Sequence, residues 1–255
     1  MPIVEVFPNP TVKSVSFEIR FPNLFYMESK VGEFQVRVIE RFPESALLFR
    51  KQLLFADIGP GGVMPQLPTP PDDVSGQKVW QFKSPQKCLL NLQANSLALM
   101  SDYHKTYNLG QGDKFREIIK FVMDAFLDLM RLPAISRIGL RYIDECPIPQ
   151  KSNESFSTYY NSAFPLERFN IADAIEMDFK TVTKKGDTFV RYVESLQKKP
   201  DETYKLVMDF DGFQEKIDSA QYLTVTDKLH DLISAEYEQS IKEPLYQYMR
   251  QPVEG

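Results

Sequence analysis

Two aspartates and a lysine have the spacing of a hydrolytic metal site. Asp144, then Asp178-Phe179-Lys180, follow the Asp…Asp-x-Lys order of metal-dependent nucleases. In that chemistry the carboxylates hold a divalent cation and the lysine steadies the attacking water. The element is short and arises by chance, so exposed strand charges are the competing reading. Asp209-Phe210-Asp211 matches the Asp-x-Asp opening of one class of phosphatases, but no catalytic lysine on a parallel-sheet pattern follows it. Gly110-Gln111-Gly112-Asp113 has Phe115 where a dinucleotide fingerprint needs its third glycine. Gly59-Pro60-Gly61-Gly62 lacks the Gly-Lys-Ser/Thr of a phosphate loop, and no Gly-x-Ser-x-Gly elbow occurs. His104 and His230, the only histidines, have no ligand spacing around them, so neither a metal nor a cofactor is expected. His104 reads as solvent-facing and His230 as a packing residue at the edge of an apolar stripe. The catalytic constellations fail on spacing or context. The sequence therefore points to a non-enzymatic binding or interaction protein, with a metal-dependent hydrolase or nuclease using Asp144, Asp178 and Lys180 as the alternative.

The arginines form the more pronounced polar pattern. Around Phe17, Ile19 and Phe21 the alternate positions are Glu18 and Arg20. Around Ile138, Leu140 and Tyr142 they are Arg137 and Arg141, and Asp209 and Asp211 alternate with Met208 and Phe210. Side chains two apart on a strand share a face. Arg20, Arg137, Arg141, Asp209 and Asp211 are thus candidates for one open surface, either a site for a small anionic ligand or partner chain, or a solvated face of weak ion pairs.

These positions need strands and helices to hold them. Alternation predicts strands at 15–21, 46–56, 78–83, 87–93, 96–103, 175–183, 187–196 and Tyr204–Asp211. Val31, Phe34, Val38 and Phe42 predict a helix stopped by Pro43. Phe115, Ile118, Ile119, Val122, Phe126, Leu129 and Met130 predict a second helix, capped by Asp113. Val225, Leu229, Leu232, Ile233, Tyr237 and Ile241 predict a third, with Thr224 and Asp227 as a capping box and Pro244 and Pro252 at its fraying end. A further helix has room at Phe164–Ile171. Residues 57–78, with Pro60, Pro65, Pro68, Pro70, Pro71 and four glycines, read as a mobile loop. Each half thus runs strand, helix, strands, long helix. The expected class is α+β: a duplicated unit, 1–132 and 133–255, in one pseudo-symmetric body, with antiparallel sheets each covered by helices on one face.

Phe17-Glu18-Ile19-Arg20-Phe21, Ile138-Gly139-Leu140-Arg141-Tyr142-Ile143-Asp144 and Leu229-His230 with Tyr237 after it carry a resemblance. The chain resembles a sporadically distributed prokaryotic family of uncharacterised proteins, which shares a Gly-Leu-Arg-Tyr-Ile-Asn/Asp strand and a Leu-His terminal helix. Asp144 stands where Asn is expected. The resemblance implies one full-length domain and carries no activity with it.

Composition sets the remaining bounds. The 255 residues are 43% hydrophobic and 25% charged, a globular balance. Lys and Arg number 30 against 35 Asp and Glu, so a nucleic-acid partner is not expected. No apolar run is long enough for a membrane helix. Met1-Pro2-Ile3-Val4-Glu5 does not open a signal peptide, so Cys88 and Cys146 are expected to be reduced and the protein cytoplasmic. The expected partner is an unidentified protein or small anionic ligand, with a homodimer possible.

Overall fold

A computed structural model describes residues 5–50 and 77–252. The first half runs β1 (Val12–Arg20), α1 (Met27–Val38), β2 (Glu44–Arg50), β3 (Gln77–Lys83), β4 (Cys88–Gln93), β5 (Ser96–Ser101) and α2 (Phe115–Met130). The second runs β6 (Ala134–Pro147), α3 (Asn153–Tyr159), β7 (Met177–Lys185), β8 (Thr188–Lys198), β9 (Tyr204–Asp218), α4 (Tyr222–Ser240) and α5 (Glu243–Arg250). The molecule is α+β, and its described residues form a large antiparallel sheet and five helices. No described helix is long and apolar enough to cross a membrane.

Among the described residues all nine strands belong to one sheet, in the order β2-β3-β4-β5-β1-β6-β9-β8-β7. Two sheets were expected. They are joined because β1 pairs antiparallel with β6, Phe17 opposite Leu140 and Arg20 opposite Arg137. The pleat sends Val15, Phe17 and Ile19 of β1, and Ile138, Leu140 and Tyr142 of β6, into one buried cluster with the helices. Helix α2 enters it through Phe115, Ile119, Val122 and Phe126. Phe21 and Phe34 meet the Phe126 ring at centroid distances of 5.3 and 5.9 Å. Helix α4 lies on β9 and β6, where Gly212 lets it approach. A Cβ at that glycine would come within 3.1 Å of Ile233.

Several local expectations change. Helix α2 is preceded by Lys114 at its N-cap, with no side-chain cap from Asp113. Thr224 and Asp227 lie inside α4, which grows out of a short 3-10 turn at Ser219–Gln221. Pro244 opens α5 instead of ending α4, as suits a residue with no N–H to donate. The helix expected at Phe164–Ile171 lies earlier, at α3, where Ser152 caps it by accepting from the Ser155 N–H. Leu232 is half-buried; Leu229 and Ile233 take the core side. The predicted loop at 57–78 lies outside the described residues except for Gln77 and Lys78, which begin β3.

Candidate functional site

The arginine pattern assembles on the sheet surface opposite the buried cluster. Arg137 bridges Glu18 at 3.1 Å and Asp211 at 3.1 Å. Its guanidinium lies over Gly139 and stacks 4.5 Å from the Phe213 ring centre. Gly139 makes that path possible, since a Cβ there would meet the Arg137 Nη1 at 2.7 Å. Glu18 and Phe213 are the two cross-strand neighbours of Gly139, so the guanidinium spans β1, β6 and β9. Arg141 donates twice to Asp209, through Nε at 2.7 Å and Nη2 at 2.6 Å, which holds its proton above the usual arginine range. Arg191 reaches Asp211 at 3.5 Å, and Arg20 reaches Glu18 at 3.0 Å. Each of these guanidinium groups is engaged by a protein carboxylate.

The hydrolytic trio does not assemble. Asp144 of β6 follows Tyr142 on the buried side, whereas Asp178 and Lys180 of β7 lie on the opposite side, Asp178 accepting from Ser195 Oγ. Strands β9 and β8 stand between, which separates the backbones by about 14 Å at 4.8 Å per strand. Among the described residues no group of three or more His, Cys, Asp or Glu is placed to hold a metal ion.

Asp144 instead faces a cavity of about 110 Å³ enclosed by residues 5–12, the loop 105–109, β6, α4 and α5. Its walls include Val6, Phe7, Pro10, Ile233 and Met249, with the tyrosines Tyr107, Tyr142 and Tyr237. Thr11 Oγ1 donates to Asp144 Oδ1 at 2.8 Å. A hydroxyl has one hydrogen, so the 2.6 Å contact between Thr11 and Tyr237 is a bond donated by the Tyr237 O–H. The chain Tyr237 to Thr11 to Asp144 ties α4, the N-terminal segment and β6 together. Burial pushes the Asp144 carboxyl up to about 7, against the Thr11 bond and the charge of Lys105, which pull it down. Burial also holds Lys105 below its usual value, helped by Lys13 and opposed by Asp102 and Asp144.

The mouth of the cavity is braced from outside. Tyr107 donates to Asp227 at 2.7 Å, and Arg116 grips the same carboxylate with two bonds of 2.7 Å. The His230 ring stacks on Tyr107 at 4.4 Å and lies 3.4 Å from the Tyr142 hydroxyl. Its burial lowers its pKa, against the charges of Asp231 and Asp227. His104, expected at the surface, is buried with Nδ1 2.7 Å from Ser101 Oγ. Both cysteines are free and buried, and burial raises the Cys88 thiol to about 12.

The sequence singles out Asp144 with Asp178 and Lys180, which the sheet holds on its other face, and it does not single out Thr11, Lys105 or Tyr107. One signal was present. Asp144 continues the apolar register Ile138, Leu140, Tyr142, and a charge in a core register marks a special site. Comparison of the chain with models of protein families, with curated proteins and with solved structures finds no match.

Proposed function

We propose that this is a non-enzymatic binding protein for a small organic ligand, seated in the cavity beside Asp144. The observation that carries the reading is a fully buried carboxyl that receives one hydrogen bond among the described residues and fronts a cavity walled by apolar and tyrosine side chains. Concave, mostly apolar pockets with a few convergent polar groups are the usual form of small-molecule sites. A carboxyl titrating at about 7 is able to donate or accept near neutral pH. It suits a hydroxyl, amide or amine on an apolar body. An apolar cavity of about 150 Å³ takes a benzene ring, so 110 Å³ suits a body near that size. Val6 and Asn108, both exposed, line the outer side, where a longer substituent has room to leave.

The anionic-ligand reading of Arg20, Arg137 and Arg141 has less support, because their charge is neutralised within the sheet. The reading keeps 1–132 and 133–255 as two copies of one unit in one body. Its support is the sheet order, which places β5 and β9 on either side of the β1–β6 pair.

Benzylamine is a suitable probe: one ring and one amine. It should raise the melting temperature and shift the Met249 methyl resonance in a methionine-labelled sample, with buried Met27 and Met123 as internal controls. Ser234→Phe, which fills the cavity from α4, should abolish both effects. A Met249 methyl unmoved by benzylamine, phenol and toluene alike would sink the reading.

A further inference from the structure

The two edges of the sheet are unlike. Strand β7 carries Lys180, Lys184 and Lys185, the kind of charge that discourages an edge from pairing with other chains. Strand β2, at the opposite edge, reads Glu44-Ser45-Ala46-Leu47-Leu48-Phe49-Arg50, without lysine or proline. Among the described residues it pairs only with β3. Residues 44–49 are all exposed, Leu47 at 48% and Phe49 at 62%. Leu47 and Phe49 project to one side of the strand and Leu48 to the other. On the Leu47 side α1 extends the apolar surface. Gln35 donates to Ser45 Oγ at 3.1 Å, and the neighbouring Val36 and Ile39 are exposed. A long apolar edge is an interface or an aggregation site.

The order of residues in β2 says what fits it. Antiparallel pairing of β2 with another β2 about Leu47 sets position 44 opposite 50, 45 opposite 49 and 46 opposite 48. Glu44 then stands across from Arg50 twice, once at each end, with apolar residues between. Opposite charges directly across a strand pair stabilise it and like charges weaken it. A two-fold contact needs a patch complementary to itself. We propose that two copies of this chain join β2 to β2 across a two-fold axis at Leu47, continuing one sheet into the other. The pairing gives the outward N–H and C=O groups of β2 protein partners and covers Leu47, Leu48 and Phe49. It does not depend on the cavity.

Sedimentation equilibrium over a dilution series tests this. The wild type should show twice the monomer mass and dissociate on dilution. Leu47→Lys should be monomeric at every concentration. Glu44→Arg alone and Arg50→Glu alone should each weaken association about tenfold, because each creates two like-charge pairs. The charge exchange Glu44→Arg with Arg50→Glu should restore it. Positions 44 and 47 are exposed, so those variants should keep the wild-type melting temperature, and the restored exchange pair separates register from folding. A monomeric wild type, with or without exchange-protected β2 amides, would overturn the proposal. So would a dimer indifferent to Leu47→Lys, or an exchange variant that stays monomeric.

Discussion

Asp144 and Glu194 are both carboxylates in the apolar register of a strand, and their partners differ. Glu194 accepts from Ser162 Oγ, from the Ala163 N–H at 2.9 Å and from Tyr192 at 3.1 Å, so it anchors the loop at 161–164. Among the described residues Asp144 has the single bond from Thr11, and an open side. Because the folded state holds the Asp144 proton from 3.8 up to about 7, stability contributed by the protonated group is fully present below 3.8 and is lost between those values, on the order of 4 kcal/mol. Asp144→Asn should therefore be more stable than wild type at about pH 8 by about 2 kcal/mol or more, with the gap closing toward about pH 4. Buried His104 and half-buried His230, whose pKa values are lowered, act oppositely and cost stability as pH falls through about 6.5, so the difference between variant and wild type isolates Asp144. Urea midpoints across pH measure this; a gap that does not change with pH contradicts it. The arginines separate by burial. Arg137, 17% exposed, holds two carboxylates, whereas Arg20, 56% exposed, holds one. Arg137→Met should cost about 2–3 kcal/mol and Arg20→Met less than about 1 kcal/mol. Equal costs by chemical denaturation would remove the assigned role of Arg137. Alternation made these faces legible in the sequence. The pairing of each arginine was not, because it depends on which strands lie side by side.

At the scale of elements, periodicity located most strands and the three long helices, because each turns apolar residues at helical spacing to the core. Their ends were less legible. Asp113 and Thr224 have the right types for caps, yet Lys114 and the Ser219–Gln221 turn occupy those places. At α2, Arg116 and Tyr107 tie the start of the helix to Asp227 within α4, whereas the turn before α4 is capped locally by Asp218, which accepts from the Ala220 N–H. Helix α3 lies before its expected place for a different reason. Its seven residues have only Phe156 in the core, too little for a periodic signal. The packing makes an asymmetric forecast. Phe126, with no exposed surface, should cost about 3–5 kcal/mol on change to alanine. Ile233→Ala should cost about 2–4 kcal/mol, and Leu232→Ala about 1 kcal/mol because Leu232 is only half-buried. Thermal denaturation in which Leu232→Ala matches Ile233→Ala would show that α4 is rotated from the orientation described.

At the scale of the molecule, β1 and β6 are distant in sequence and lie at the centre of the sheet. No local pattern encodes such a pairing, so the sequence suggested two sheets where there is one. Cutting the chain between the halves would bare one long edge of β1 and the fourteen residues of β6. Fragments 1–132 and 133–255 expressed apart should therefore aggregate, and mixing during refolding should recover soluble protein; two soluble, folded fragments would contradict a shared sheet. The two faces of that sheet divide the polar chemistry. Arginines and acids neutralise one another on one side, and Asp144 stays available beside a cavity on the other. The measurement that bears most directly on this division is a carbon-detected titration of the Asp144 carboxyl, in the free protein and with saturating benzylamine. The account predicts a midpoint near 7 in the free protein and a lower one with the probe, because an ammonium beside the carboxylate favours its charged form. A midpoint in the ordinary aspartate range, or one that the probe leaves where it was, would contradict it.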